Sequence, residues 1–531
     1  MTVRGVGANV VAHPFFPRPR PVPHVKPIPP HLSEPLRRAL ELHRGGNLAA
    51  AEDVYAGLID EAGDHEVVLC SYASAILAQD RPKDAQALLE KAVSVAPDYA
   101  QAHIFLGEVY RQLARFEEAL AEIRRGLEIN PKYLEAHIGL GDLLVDLYRL
   151  DEALETFDVA MQMKPKSPLI GTKRAQVRFY LGDIDRAEEE IREILNRYPN
   201  HAEAHWVLSC ICLAKGGYDE GWHEYAARWS IAKTPPATTR TDRPLWDGGS
   251  LQGRNLLVWP EQGLGDEIMF ATCIPQLLRD AEPARCIYVC DRRLAPLLER
   301  TFPELTVVPT EKMHGGEVSL QVPNFDVQTC CGDLPQFLRR SSEAFKEPLP
   351  AFRPDPEKLV KWRARIEALG EGPKIGIAWR GGMTLRIRSR KSAPLDFMPD
   401  LLRTPGAHFI NLQYGDVADD LARMRADSGV TVHHWDDMDA IADPDDQLAQ
   451  IACLDLVIQT SNASAHMAGV LGRPVWNMIP FIPEWRWLLE GERCLWYPTM
   501  RLFRQPELGN WAPVFAKVVG ELNRFVAERT D

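Results

Sequence analysis

From Ala51 to about Tyr225, apolar residues recur three and four positions apart, in stretches of about a dozen residues broken by short polar turns. AQAHIFLGEVYRQL and LEAHIGLGDLLVDL each place their apolar residues on one helical face, and turns such as LARFEEA and LYRLDEA follow them. From Leu251 onward the pattern changes to short apolar runs: NLLVW, RCIYVC, LTVVP, KIGIAW, HFINLQ, VTVHHW, LDLVIQ and RPVWNMI, separated by helix-compatible stretches. Short buried runs alternating with helices predict parallel strands in α/β layers. Two such sets, divided near 352–372, predict two Rossmann-like halves facing a cleft, and Pro513–Glu528 reads as one closing helix.

The helical part carries a repeat. Prolines stand at Pro97, Pro131, Pro165 and Pro199, and alanines at Ala51, Ala85, Ala119, Ala153 and Ala187, each thirty-four residues after the last. A bulky residue follows four positions later, at Tyr55, Leu89, Ile123, Phe157, Ile191 and, one step on, Tyr225. A period of thirty-four with a small residue at the helix crossing and proline at the end is the tetratricopeptide pattern. One helical hairpin cannot bury its own apolar face, whereas stacked hairpins share a core and offer a concave surface to a peptide or protein. His103, His137 and His205 share a repeat phase, but equivalent positions on stacked helices lie roughly 8–10 Å apart, too far for one ion. They read as packing or groove residues.

Residues 1–32 are proline-rich with Arg4, Arg18, Arg20 and Lys26 and no acid, which predicts a disordered tail. Lys233–Arg243 loses helical periodicity and predicts a linker. The expected organisation is a tail at 1–32, a solenoid at 33–231, a linker at 232–249, and two Rossmann-like domains at 250–368 and 369–531.

Composition sets outer limits. A chain of 531 residues, 45% hydrophobic and 25% charged, suits several soluble domains. Its formal net charge of −13 argues against a general nucleic-acid binder, because phosphate contacts need a basic footprint. Nothing approaches eighteen uninterrupted apolar residues, so no membrane span is expected. The ten cysteines are scattered without metal-ligand spacing, and Met1–Arg20 lacks an apolar leader core, which together predict free thiols, no metal site and a cytoplasmic protein.

Three stretches are candidates for chemistry. In LLVWPEQGLGDE, Gly263 and Gly265 allow a sharp strand-to-helix turn, and Asp266 and Glu267 stand where an open α/β sheet binds ligands. A carboxylate there can accept a proton from a hydroxyl, and the same turn also reads as Asp capping a helix. In WRGGMTLRIRSRKSAPL, five cations and no anion lie between Arg380 and Lys391, beside Gly381. Such a loop suits a diphosphate, or simply faces water. In LDLVIQTSNASAHMAG, Ser461, Asn462 and Ser464 precede a helix whose first turn holds His466, a cap that also binds anions, with His466 alternatively a packing residue. The stretch from Asp416 to Asp446 holds ten Asp and two Arg and predicts a solvated acidic loop with a helix starting at Asp443–Asp446. FIPEWRWLLEGERCLWYP predicts a core and cleft wall, or aromatic platforms for a nucleotide base.

The repeats, followed in order by EQGLGDE, WRGG…KSAPL, NLQYGD, SNASAHMAGVLGRPVW, EWRWLL and WYPTMRLFRQ, resemble the bacterial tetratricopeptide-repeat glycosyltransferases, whose catalytic half is similar to the heptosyltransferase-like GT-B fold. The resemblance covers about residues 33–531. It implies an α-solenoid followed by a GT-B enzyme that needs no metal and takes a nucleotide-sugar, with CMP as the candidate nucleotide. Members include enzymes that attach nonulosonic acids such as pseudaminic acid to flagellin Ser or Thr. Carried onto this chain, the resemblance implies Asp266 as general base, and Arg380 and Lys391 near the donor phosphates. It also implies Asn462, Ser464 and His466 around the diphosphate, and Gln413 near the nucleotide. Relatives commonly carry aspartate where this chain has Ser461, which opens a second reading, a scaffold or chaperone without catalysis. A third reading keeps the enzyme and makes the acceptor a lipopolysaccharide or capsule glycan.

Overall fold

The computed structural model describes residues 26–231, 241–261, 263–311, 321–382 and 391–530. The chain divides into two compact units, one ending at Pro199 and one running from Asn200 to Asp531. The expected tail lies outside the described residues up to residue 25, as do residues 232–240 of the expected linker.

The first unit is five helical hairpins: Pro30–Arg44 with Leu48–Ala62, Glu66–Leu77 with Pro82–Val95, Ala100–Gln112 with Phe116–Ile129, Leu134–Asp146 with Leu150–Met163, and Pro168–Leu181 with Ile184–Arg197. From the second hairpin on, each second helix stops two residues before a repeat proline, whose fixed φ and missing N–H end it. The repeat alanines are fully buried. Small residues permit close crossings: a Cβ added at Gly107 would meet Ile123 Cγ1 and lie 3.0 Å from the Ala119 carbonyl oxygen. His103 and His137 bond the carbonyls of Pro97 and Pro131 at 2.9 Å, so they cap the start of their own hairpins.

A second periodicity lies in the turns. Gly46, Asp80, Ala114, Tyr148, Gly182 and Gly216, again thirty-four apart, all have positive φ, between 60° and 89°. Three of these places hold residues whose Cβ disfavours the left-handed region.

The second unit opens with a sixth hairpin, Ala202–Ala214 and Tyr218–Tyr225, and continues into two parallel sheets. The first contains β1 (Asn255–Trp259), β2 (Arg285–Asp291), β3 (Leu305–Thr310) and β4 (Val327–Cys330), in the order β3-β2-β1-β4. The second contains β5 (Lys374–Ala378), β6 (His408–Asn411), β7 (Leu456–Thr460), β8 (Val475–Ile479) and β9 (Met500–Arg504), in the order β6-β5-β7-β8-β9. The closing helix runs Ala512–Thr530 and buries Val514, Phe515, Val518 and Leu522 against the second sheet's core.

Several expectations change. VTVHHW forms no strand; it touches β6 through a single bridge at His433, with Asn411 N donating to His433 O and His433 N to Phe409 O. β4 and β9 were not expected. β4 reads VQTC, and its polar residues are buried because Gln328 accepts from Trp259 Nε1 at 2.9 Å and donates to Arg243 O at 2.8 Å. The described end of the linker, Pro244–Trp246, covers the open edge of β4 through backbone hydrogen bonds to Gln328. The acidic stretch is not simply solvated. Asp443 does cap the helix Pro444–Ala452, but Asp445 and Asp446 are buried. Asp446 pairs with Lys361 and accepts from Trp362 Nε1, while Asp445 pairs with Arg300 from the first sheet's side. The helix Pro356–Glu367, on the N-terminal side of the expected boundary at 368, packs against Pro444–Ala452.

Among the described residues no helix is long and apolar enough to cross a membrane. Replacing Ala114 by Gly should relieve its left-handed strain and stabilise the first unit by about 1 kcal/mol, read as a raised urea midpoint for the repeat transition. An unchanged or lowered midpoint would contradict the strain.

Candidate functional site

The three candidate stretches converge at the carboxyl ends of β1, β5 and β7. β1 leads into the helix Leu264–Ala271, and β7 into the helix Ala463–Val470. These two helices pack together with their first turns in contact. A Cβ on Gly265 would lie 3.0 Å from His466 Cδ2 and 3.3 Å from Ala463 Cα, so a larger residue there would push the two helix starts apart by a few tenths of an ångström. Gly381, just after β5, is more tightly enclosed: a Cβ there would meet Ser461 O at 2.6 Å and Lys391 Cβ at 2.8 Å. Gly263 has no such restriction.

At the junction lies a buried charge network. Asp266, in the first turn of its helix, pairs through Oδ1 with Arg486 Nη2 at 2.8 Å, and its Oδ2 accepts a long bond from Gly263 N. Arg486 comes from the loop after β8, stacks over Trp485 at 5.1 Å, and places Nη1 3.5 Å from His466 Nε2. Its Nε has no hydrogen-bond partner among the described residues. Glu484 accepts from Lys391 Nζ and from Ser461 Oγ, both at 2.6 Å. Ser461 Oγ in turn accepts from Trp487 Nε1 at 2.8 Å.

The electrostatics follow from burial. Desolvation alone would raise the Glu484 carboxyl, but Lys391 and Arg486 reverse this and hold it well below the usual carboxylate range. Burial likewise disfavours the Arg486 charge, and Asp266 and Glu484 outweigh it, raising the guanidinium above its ordinary value. Burial, with Arg486 beside it, pushes His466 down to about 3, so its ring stays neutral. That ring is fixed by Tyr497 OH at Nδ1, 2.8 Å away, and by stacking on Trp487. Two cations, two carboxylates and a neutral imidazole thus surround two helix N-termini, whose free N–H groups favour anions.

Other expected site residues take supporting positions. Glu267 faces away from the junction: buried, it accepts from Asp291 N at 3.1 Å and ties its helix to the end of β2. Gln413 accepts from the backbone N–H groups of Trp379 and Arg380, at 3.1 and 2.7 Å, holding the turn after β5. Arg380 itself points to Asp420 and to the Asp416 carbonyl. Ser464 is buried with its Oγ within 2.6 Å of both Gln459 Oε1 and Asn462 Oδ1, either of which can take its one proton, and Asn462 Nδ2 donates to the Arg380 carbonyl. The remaining cations of the basic loop, Arg386, Arg388 and Arg390, lie outside the described residues. Glu484 and Arg486 are the functional candidates that sequence reasoning passed over. Their signal was present, since two charged residues wedged among tryptophans in EWRW are bound to be buried and therefore paired. Among the described residues, no group of three or more His, Cys, Asp or Glu is placed to hold a metal ion.

Family models of the tetratricopeptide repeat match residues 76–132, 115–177 and 172–235, so the helical hairpins across residues 76–235 are tetratricopeptide repeats. The chain is 35% identical over 366 residues to Protein FlbA of Caulobacter vibrioides, a match covering 67% of this chain and 61% of the relative's length. A match of that length reaches into the sheet-bearing region, because the helical hairpins end by Ile231. Among solved structures, TTC0263, a thermophilic TPR protein in Thermus thermophilus, covers 32% of this chain and 93% of its own, at 22% identity and a TM-score of 0.30. YrrB, a TPR protein with an unusual peptide-binding site, covers 33% of this chain and 91% of its own, at 18% identity and a TM-score of 0.28.

The neutral His466 makes a prediction. An exposed imidazole protonates near 6.5, whereas His466 resists protonation down to about 3. The unfolded chain therefore takes the proton first, and this residue's contribution to stability, complete above pH 6.5, is lost as pH falls below it. The stability difference between wild type and His466→Gln, measured by urea unfolding, should fall by up to about 1.4 kcal/mol per pH unit below 6.5. A difference independent of pH would show that His466 titrates normally.

Proposed function

We propose that the second unit is a GT-B-type glycosyltransferase that moves a sugar from a nucleotide donor to a hydroxyl of a protein gripped by the tetratricopeptide repeats. The observation that carries this reading is the convergence of Asp266 with two helix N-termini, Arg486 and Lys391 at the carboxyl ends of parallel strands. Open α/β sheets bind phosphorylated ligands at that edge. The resemblance of the ordered motifs supplies the acceptor, a Ser or Thr of flagellin, and a donor carrying a nonulosonic acid on CMP.

In this reading the acceptor oxygen attacks the anomeric carbon as its proton passes to the Asp266 carboxylate. The bond from that carbon to the donor phosphate oxygen breaks, and the electron pair leaves with the phosphate. Arg486, Lys391 and the N–H groups at the start of Ala463–Val470 meet the developing negative charge. Neutral His466 orients Arg486 without adding a competing charge.

A second reading, a repeat scaffold without catalysis, is favoured by one observation. Ser461 and both cations already bond to carboxylates of the chain itself, so a donor has to displace protein partners in order to bind. Incubating the full chain with nucleotide-sugars and flagellin, and reading intact mass, separates the two. The transferase reading predicts an added sugar mass, and a loss of about 10²–10⁴-fold in rate for Asp266→Ala, the usual worth of a general base. Absence of both transfer and donor hydrolysis with every donor would support the scaffold. Transfer to a glycan instead of flagellin would move the acceptor to a lipopolysaccharide or capsule.

A further inference from the structure

The sixth hairpin belongs to the same compact unit as the sheets; its side chains touch the segment that supplies Arg486, and Arg228, just after it, touches the segment that leads to Asp266. On the Arg486 side, Trp222 and Tyr225 meet Trp485 edge-on, with ring centroids 5.2 and 5.8 Å away. Trp222 is 2% exposed and anchored by its Nε1, which donates to Arg339 O at 2.8 Å. The loop backbone is also tied to the hairpin, because Leu489 N donates to the Ala214 carbonyl at 2.9 Å. Between these anchors Leu488 is held at φ 55°, a left-handed conformation that leucine adopts only when its surroundings impose it. On the Asp266 side, Arg228, which follows the hairpin, forms a two-pronged pair with Glu261 at 3.0 and 2.7 Å, five residues before Asp266. Arg228 also pairs with Asp333 at 2.5 Å and stacks over Tyr225 at 4.4 Å.

The hairpin therefore holds the Arg486 segment through Trp222 and Tyr225, while Arg228, three residues beyond it and stacked on Tyr225, holds Glu261 ahead of Asp266. We infer that the last helical hairpin is a built-in part of the site, and that Trp222 is a positioning residue that acts through Trp485 to set Arg486 for an anionic ligand. The ligand class is a phosphate or diphosphate, which the free Nε of Arg486 and the N-terminal N–H groups of Ala463–Val470 can bond. The inference rests on the anion subsite of the reading above but does not need group transfer.

Calorimetric titration of the full chain with inorganic pyrophosphate tests it without requiring turnover. Trp222→Ala should weaken pyrophosphate binding about tenfold. Trp222→Phe, which keeps a ring against Trp485, should restore most of the affinity. Trp485→Leu, which removes the relay without altering the hairpin, should reproduce the Trp222→Ala loss and also serves if Trp222→Ala fails to fold. Asp219→Ala, which deletes an exposed pair with Arg340 on the same hairpin, should leave affinity unchanged. In an Arg486→Lys background, Trp222→Ala should cost less than twofold, because its effect passes through the guanidinium. Wild-type affinity in a folded Trp222→Ala or Trp485→Leu, or full additivity with Arg486→Lys, would overturn the inference. No saturable binding by the wild type would overturn the anion subsite and the inference together. Binding without sugar transfer would sink only the transferase reading.

Discussion

The ion pair between Asp266 and Arg486 joins two loops that leave different parallel sheets, and the geometry around it depends on how closely those loops approach. Two charged groups taken out of water cost several kcal/mol each, which only good geometry and additional partners repay. The Asp266–Arg486 contact is a charge pair at 2.8 Å without an aligned hydrogen bond, so the additional partners come from a network. Glu484 and Lys391 form a second pair beside the first, Ser461 donates to Glu484 and accepts from Trp487, and Tyr497 fixes the neutral His466 ring. Gly265 and Gly381 are the steric counterpart, removing the Cβ atoms that would hold the β1, β5 and β7 turns apart.

The surrounding structure keeps this network in place. Arg504 on β9 clamps the Trp485–Trp487 loop from behind, donating to the carbonyls of Leu488, Trp487, Glu490 and Gly491. Arg300 and Asp445 join the two sheets' flanking helices elsewhere in the same unit. The sixth hairpin extends the tetratricopeptide period into the sheet-bearing unit. Its Trp222 and Tyr225 join Trp485 and Trp496 in an aromatic cluster, so a tetratricopeptide-type hairpin packs directly beside the Asp266–Arg486 junction.

Legibility in the sequence followed the physics of each element. β1, β2, β5, β7 and β8 were readable because strands buried on both faces are continuous apolar runs. β4 was not, since Gln328 and Thr329 are buried only because Trp259 and the backbone satisfy them, a tertiary arrangement no local pattern reveals. The hairpins were readable from alanine and proline spacing, whereas the left-handed turn residues Asp80, Ala114 and Tyr148 carry no glycine to announce them. In the site, Asp266, Lys391, Ser461 and His466 were singled out by their place after strands. Glu267, Gln413 and Ser464 shared that place but turn to brace the backbone. Arg486 lies more than two hundred positions from Asp266, and only the fold brings them together.

Whether this pair couples the two loops is read from a double-mutant cycle. Unfolding free energies of wild type, Asp266→Ala, Arg486→Ala and the double variant should give a coupling of about 1–3 kcal/mol, as expected for residues sharing a buried ionic network. Additivity within about 0.5 kcal/mol would mean that the two side chains do not hold each other, and the account of the site built on them would fail.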